Sequence, residues 1–203
     1  MAGSRWLLAG LLLSGCATIR GVRAPNLVAD TYDAQWRAAA RATESPANMA
    51  TVKQGVVLAR RARELNPLGV EGHYYYALTV GLLADLDRGY GLNAVAEMET
   101  ALRRALELDE RFDRAGALRL LGILHLRTPA PPVSIGSPRK GLRLLQRAVE
   151  LFPDDPENQL YLAEALRDNG RTDEARVVLG KIAPREPWQT KARLLRDSLD
   201  KEH

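Results

Sequence analysis

The side chains best suited to bind a ligand lie in two stretches of the sequence. Tyr74 and Tyr75 belong to the run His73–Tyr76, which holds half of the six tyrosines. Arg119 and His125 interrupt a leucine-rich segment further along the chain. Tyrosine offers apolar area with a polar tip, and arginine can hold a carboxylate through two parallel hydrogen bonds. We therefore predict that Tyr74, Tyr75, Arg119 and His125 line a cavity or groove used for binding.

Each of these residues also has a plainer interpretation. One or two of the tyrosine rings can pack between helices while their hydroxyl groups remain in water. Arg119 can lay its aliphatic part along the surface and hold its charge in solvent, or it can face an anionic group in a channel. His125 has the same ambiguity. The degree of burial of each side chain distinguishes these alternatives.

The sequence lacks the patterns that catalysis or metal binding needs. Its three histidines, His73, His125 and His203, are widely separated, and its only cysteine is Cys16. A zinc site requires three or four converging ligands. The segment Gly89–Gly91 lacks the Lys-Ser/Thr pair of a phosphate-binding loop. We expect no enzyme activity, no metal site and no cofactor.

Residues 1–15 are typical of a signal peptide. Arg5 supplies a positive charge, and residues 6–13 form an apolar stretch that is too short to span a bilayer as a helix. Small residues then precede Cys16. This arrangement resembles the bacterial lipobox, in which the cysteine is acylated and becomes the first residue of the mature protein. The alternative is a plain secretory signal with a coincidental cysteine.

The residues after Cys16 bear on location. Ala17, where inner-membrane lipoproteins of enterobacteria carry aspartate, implies by analogy an outer-membrane lipid anchor that faces the periplasm. Gly21 and Pro25 predict a non-helical tether over residues 16–29. Acylation of Cys16 leaves no cysteine for a disulfide, so helix packing must stabilise the domain.

One short motif occurs three times at steps of 43 residues, at 61–67, 104–110 and 147–153. Each copy has the pattern Arg-Ala-x-Glu-Leu, with a Pro two residues later in the first and third copies. Glu110 takes that place in the second copy. The small Ala permits close helix approach, and Pro cannot continue a helix. The motif predicts the end of the second helix of a tetratricopeptide-like hairpin.

The repeat predicts an all-α, tetratricopeptide-like solenoid of helical hairpins over residues 30–203. Ser137-Pro138 and Asp155-Pro156 are typical of helix starts. Residues 87–91 and 128–136 are insertions between paired helices, which in a solenoid lie on one side. The predicted units are about four repeats and a capping helix, at 30–67, 70–110, 113–153, 156–187 and 188–203.

The charge pattern argues against nucleic acid as a partner. The formal net charge is +4 and the isoelectric point is near 9.4. The basic residues nevertheless alternate with acidic ones at helical spacing, as in Arg61 and Glu64, and form no obvious cluster. This alternation is typical of a solvated helix face.

Three elements between Thr100 and Pro184 resemble those of one known family. They are Ala101–Asp109 with Gly116 and Leu121-Gly122, the Pro-rich segment to Pro138 with Leu145–Ala148, and Leu162–Glu164 with Leu179–Ile182. This stretch resembles the T component associated with TRAP transporters, a group of tetratricopeptide lipoproteins. The resemblance implies a periplasmic lipoprotein that binds a TRAP substrate-binding protein. It also implies homo-oligomers, with trimers as the expected form, and channels suited to a small ligand.

Two functional hypotheses follow. In the first, the chain is an accessory lipoprotein of a TRAP-type system that docks a periplasmic partner and can hand over a small organic ligand. In the alternative, it is a scaffold lipoprotein that holds envelope, secretion or pilus machinery together. The first requires an internal channel with aromatic and charged walls, whereas the second requires an open groove that a peptide or helix fills.

Overall fold

The computed structural model describes residues 28–44, 48–182, 184 and 186–201. The predicted signal peptide, Cys16 and His203 lie outside the described residues. Within them there are nine α-helices, a 3-10 turn at Arg88–Tyr90 and no strand, and no helix is long and apolar enough to cross a membrane. The helices are α1 Tyr32–Arg41, α2 Met49–Leu65, α3 Val70–Leu86, α4 Gly91–Leu108, α5 Phe112–Arg127, α6 Pro138–Leu151, α7 Pro156–Asp168, α8 Thr172–Lys181 and α9 Trp188–Leu199.

The helices form hairpins that stack in two layers. The pairs are α1 with α2, α3 with α4, α5 with α6, and α7 with α8, and α9 packs against α7 and α8. Each first helix contacts the next first helix, from α1 through α9. In the described chain, successive second helices do not contact one another. The first helices therefore form a continuous inner layer and the second helices an outer one, which confirms the predicted all-α, tetratricopeptide-like solenoid.

The repeated motif takes the same position in all three of its copies. Its alanines, Ala62, Ala105 and Ala148, are completely buried. Each of the three helices ends three residues after this Ala, including α4, where Glu110 stands in place of Pro. A proline is therefore not required for the helix to end at this position.

The predicted helix starts also carry the expected caps. The Ser137 hydroxyl accepts a hydrogen bond from the backbone N–H of Lys140 at 3.4 Å. The Asp155 carboxylate accepts one from the backbone N–H of Asn158 at 2.9 Å. A proline takes the first helical position after each cap, where its missing N–H has no helical partner to lose.

Two glycines, Gly122 and Gly141, lie where α5 packs closely against α6. A Cβ atom added to Gly141 would lie 2.8 Å from the carbonyl oxygen of Gly122. A Cβ added to Gly122 would lie 2.7 Å from Cγ of Leu145. Both distances are too short for real contacts, so a side chain on either residue would disturb the packing of α5 against α6.

The start of α5 departs from regular geometry. Asp113, Arg114 and Ala115 have φ values of 48°, 52° and 64°, in the left-handed region. Non-glycine residues adopt it at a cost of roughly 1–2 kcal/mol each. The regular helix begins after this turn. Each of α3, α5 and α7 carries a large residue followed by a small one, and the small residues are Ala77, Gly122 and Ala163. As a result of the turn, these small residues are 45 and then 41 residues apart, although the motif of the second helices recurs every 43 residues.

Candidate functional site

An aromatic row crosses the inner layer at the N-terminal part of the first helices. The rings of Trp36 on α1 and Tyr75 on α3 stack with centroids 5.9 Å apart and planes 5° apart. Phe112 of α5 meets Tyr75 edge-on at 6.3 Å. The guanidinium of Arg37 lies 4.5 Å above the Trp36 ring. Tyr75 is half-buried, and burial, followed by the nearby Asp113 charge, raises the pKa of its hydroxyl.

Tyr74 lies below this row and is buried. Its hydroxyl donates a hydrogen bond to the carboxylate of Asp113, and its ring lies edge-on to Phe112 at 5.3 Å. Burial is the main cause that raises the pKa of this phenol, and the Asp113 charge adds to it. Gly116 leaves the space that the ring occupies, since a Cβ there would come within 2.7 Å of the hydroxyl. Tyr74 therefore fastens α3 to the start of α5.

Arg119 is also buried, and its guanidinium faces partners within the chain. One terminal nitrogen donates to the amide oxygen of Asn158 at 2.8 Å. The other lies 3.3 Å from a carboxylate oxygen of Glu157 and 3.5 Å from one of Asp113. The side chain thus neither extends into solvent nor points into an open channel. We expect it to position the Asp113 turn rather than to receive a ligand carboxylate.

The same network also stabilises the left-handed turn through contacts from α7. The amide nitrogen of Asn158 donates to the carbonyl oxygen of Arg114 at 3.0 Å. Nε of Arg114 lies 2.9 Å from the carboxylate of Asp155, the cap of α7. Polar groups that the irregular backbone leaves free are thereby paired. A chain of contacts consequently links α3, α5 and α7, which belong to three successive repeats.

His125 serves a different part of the molecule. Its Nδ1 lies 2.8 Å from the carbonyl oxygen of Ile135 and donates to it, since a carbonyl can only accept. The backbone N–H of Ser137 donates to the carbonyl of His125 at 2.8 Å. The buried imidazole thus fixes the Pro-rich segment between α5 and α6.

The structure places the four predicted residues in three different settings. Tyr75 takes part in the inner aromatic row. Tyr74 and Arg119 are joined through Asp113 beneath it. His125 lies on the other side of α5 and borders a groove between α4 and α6.

An apolar groove of about 290 Å³ lies further along the inner layer, between α3, α4 and α5. Leu78 and Leu82 continue the helical stripe that starts with Tyr75, at spacings of three and seven residues. The guanidinium of Arg127 lies 5.8 Å from the centroid of the Tyr161 ring at the rim. The walls are formed mainly by Leu78, Leu82, Val95, Met98, Leu120 and Ile123.

Sequence reasoning missed most of this groove because leucines at helical spacing are ordinarily part of the core. The stripe of Tyr75, Leu78 and Leu82 was visible in the sequence, but no neighbouring residue indicated that these side chains remain partly exposed. Trp36 and Phe112 belong to other helices, and their approach to Tyr75 depends on the stacking of repeats.

His73, the first residue of the run His73–Tyr76, makes a structural hydrogen bond. Nε2 of His73 donates to the carbonyl of Pro67 at 3.0 Å, and burial is the main cause that lowers the pKa of the imidazole. Across the part of the chain that the structure describes, no three His, Cys, Asp or Glu side chains converge as metal ligands would.

Comparison with known proteins agrees with this architecture. Residues 136–198 match the model of the tetratricopeptide repeat family. Among curated proteins, none has a sequence that matches this chain. A solved structure of a thermophilic TPR protein from Thermus thermophilus is similar, with a TM-score of 0.60 and 20% identity, over 84% of this chain and 91% of that one. The fold of this chain is that of a tetratricopeptide-type solenoid.

Proposed function

We propose that the chain is a protein-interaction scaffold whose inner face binds a segment of a partner protein. Solenoids of stacked helical hairpins present an extended inner surface for such binding. The observation that carries the proposal is the apolar groove formed by α3, α4 and α5, which includes Leu78 and Leu82 on the same stripe of α3 as Tyr75 of the aromatic row.

The chemistry of the groove favours a helix or extended peptide with large apolar side chains. Its walls are apolar, and charged groups, Asp85 and Arg127, are found among its lining residues at the ends of α3 and α5. Apolar side chains spaced along one face of a bound helix would fill it, as in other helix-in-groove complexes. The rim charges would then orient the bound segment rather than supply most of the affinity.

Two more specific kinds of partner are compatible with the proposal. The resemblance of Thr100–Pro184 to the TRAP-associated T component proposes a periplasmic substrate-binding protein, bound by a homo-oligomer on a lipid anchor. The alternative is a scaffold for envelope, secretion or pilus machinery. The scaffold needs an open groove and no channel, so the open form of the inner groove favours this broader alternative.

A crosslinking amino acid tests the inner groove directly. With p-benzoylphenylalanine in place of Leu82, we expect ultraviolet light to produce one dominant protein adduct in cells, because Leu82 lines the groove. The matched control carries the same amino acid at Val177, a residue of α8 in the outer layer that is 61% exposed. Mass spectrometry identifies the adduct.

The two positions give opposite expected results. An adduct at 82 and none at 177 supports binding at the inner face. A substrate-binding protein in that adduct supports the TRAP role, and an envelope-assembly protein supports the scaffold role. Equal adducts at both positions, or none at 82, contradict the proposal.

The anchor proposal depends on Cys16. We expect Cys16→Ser to abolish incorporation of radioactive palmitate and to release the chain from membranes, because the acylated sulfur is lost. Fractionation and autoradiography measure both effects. Labelling that persists in the variant would show that the chain is not a lipoprotein acylated at this residue.

A further inference from the structure

A second groove, of about 440 Å³, lies on the opposite side of the solenoid. It runs between the second helices α4 and α6, with α5 as its floor. The floor includes Leu118 and Leu121, which are almost fully buried, and Leu144 of α6 adds a half-buried apolar side chain. Its walls carry four cations and one carboxylate, namely Arg103, Lys140, Arg143, Arg147 and Glu110.

The cations are arranged along one face of α6. Arg143 and Arg147 follow Lys140 by three and seven residues, so the three side chains form a single stripe about 10 Å long. Arg147 is held by two bonds of 3.0 Å to Glu110, which keep the pKa of that carboxyl below its usual range. Lys140 and Arg143 are exposed and form no ion pair with the residues that the structure describes.

Two of these four cations are paired with acids at helical spacing, as the alternating charge pattern predicts, namely Arg103 with Glu99 and Arg147 with Glu150. The sequence alone did not indicate that the four lie together. Arg103 belongs to α4, and only the packing of α4 and α6 across α5 brings it to the same groove.

The stability of α6 does not account for a lysine at position 140. The N-terminus of a helix carries a partial positive charge and favours acidic residues, yet the first turn of α6 has none. Ser137 is the helix cap, and the residue three positions later completes a capping box when it is Glu. Lys140 takes that place, and Arg139 precedes it. Cations here do not stabilise the start of the helix, so helix stability alone does not explain them.

We propose that this outer groove binds an acidic segment of a partner protein, in which apolar residues alternate with carboxylates. Carboxylates would pair with Lys140 and Arg143 on the rim, where the helix N-terminus adds positive potential. Apolar side chains between them would pack against the half-buried Leu144 and the aliphatic parts of the neighbouring basic side chains. Phosphate or a lipid headgroup would pair with the cations but leave Leu144 partly exposed. The site is separate from the inner groove, and its occupancy does not depend on the proposed function of that face.

Two neighbouring charge reversals test the proposal. Lys140→Glu and Arg139→Glu both place an acid in the first turn of α6, but only residue 140 lines the groove. We expect both variants to keep their helical circular dichroism and to raise the thermal midpoint by about 1–3 °C. Full-length protein in detergent is then titrated with a fluorescent 14-residue peptide of alternating Glu and Leu.

We expect Lys140→Glu to weaken binding of the peptide about tenfold at 50 mM salt, and Arg139→Glu to change it less than about twofold. Arg143→Glu, on an exposed part of the same stripe, should also weaken it about tenfold. Equal effects of the 139 and 140 variants, or equal binding of a Lys-Leu peptide, would overturn the proposal. So would binding of inorganic phosphate or phosphatidylglycerol vesicles, but not the peptide, with the same dependence on Lys140.

Discussion

Replacement of Arg119 by Met is expected to lower the free energy of unfolding by about 3 kcal/mol. The change leaves the buried amide oxygen of Asn158 without its donor, and an unpaired buried acceptor costs roughly 1–3 kcal/mol. It also leaves Asp113 and Glu157 without the cation that lies between them. These carboxylates are 36% and 29% exposed, so solvent weakens this part of the effect. Urea denaturation followed by circular dichroism measures the change.

The control is Arg127→Met on the same helix. Arg127 is 62% exposed and pairs with Glu164 at 3.3 Å. A surface pair of this kind contributes about 0–1 kcal/mol. If both variants lowered stability equally, the buried network around Arg119 would not be the source of the effect.

Gly141→Ala is expected to destabilise the protein by about 2 kcal/mol, although Ala is the better helix former. Its Cβ would lie 2.8 Å from the Gly122 carbonyl oxygen and 2.9 Å from the Leu126 side chain. The carbonyl belongs to the backbone of α5 and cannot rotate away, so the two helices must separate. Chemical denaturation with an unchanged m-value would confirm a loss of stability alone.

Gly180→Ala is the matched change in α8. An added Cβ there meets no atom within 4 Å, and the residue is exposed. We expect it to stabilise the protein by about 0.5–1 kcal/mol, because Gly loses more backbone entropy than Ala on folding. Opposite signs at 141 and 180 attribute the first effect to the crossing of α5 and α6. Stabilisation at both positions would rule that out.

The fold could be predicted because its determinants are local and repeated. Ala62, Ala105 and Ala148 mark equivalent helix crossings, and Ser137 and Asp155 cap the helices that follow them. Such signals operate within a few residues, and three copies in phase leave few other architectures. The step of 43 residues was sufficient to define the second helices.

The candidate sites could be predicted only in part, because they depend on contacts between distant residues. Tyr74 meets Asp113, and Arg119 meets Asn158, each across 39 positions. Nothing near Asp113 in the sequence indicates a left-handed turn, since no glycine is present among the three residues that form it. Tyr75 was correctly placed on a first helix, but Trp36 and Phe112 join it only after the repeats stack.

The shifted start of α5 has a consequence for how this chain can be rearranged. Ideal solenoids can gain or lose a unit without disturbing the others, since every junction is alike. Here the junction between α4 and α5 is specific, because its left-handed residues depend on Tyr74 before it and Asn158 after it. A consensus unit inserted there would separate Tyr74 from Asp113, although Arg114 and Asn158 would stay adjacent. We therefore expect duplication or exchange of repeats to be tolerated only when α3 through α7 move together as one module.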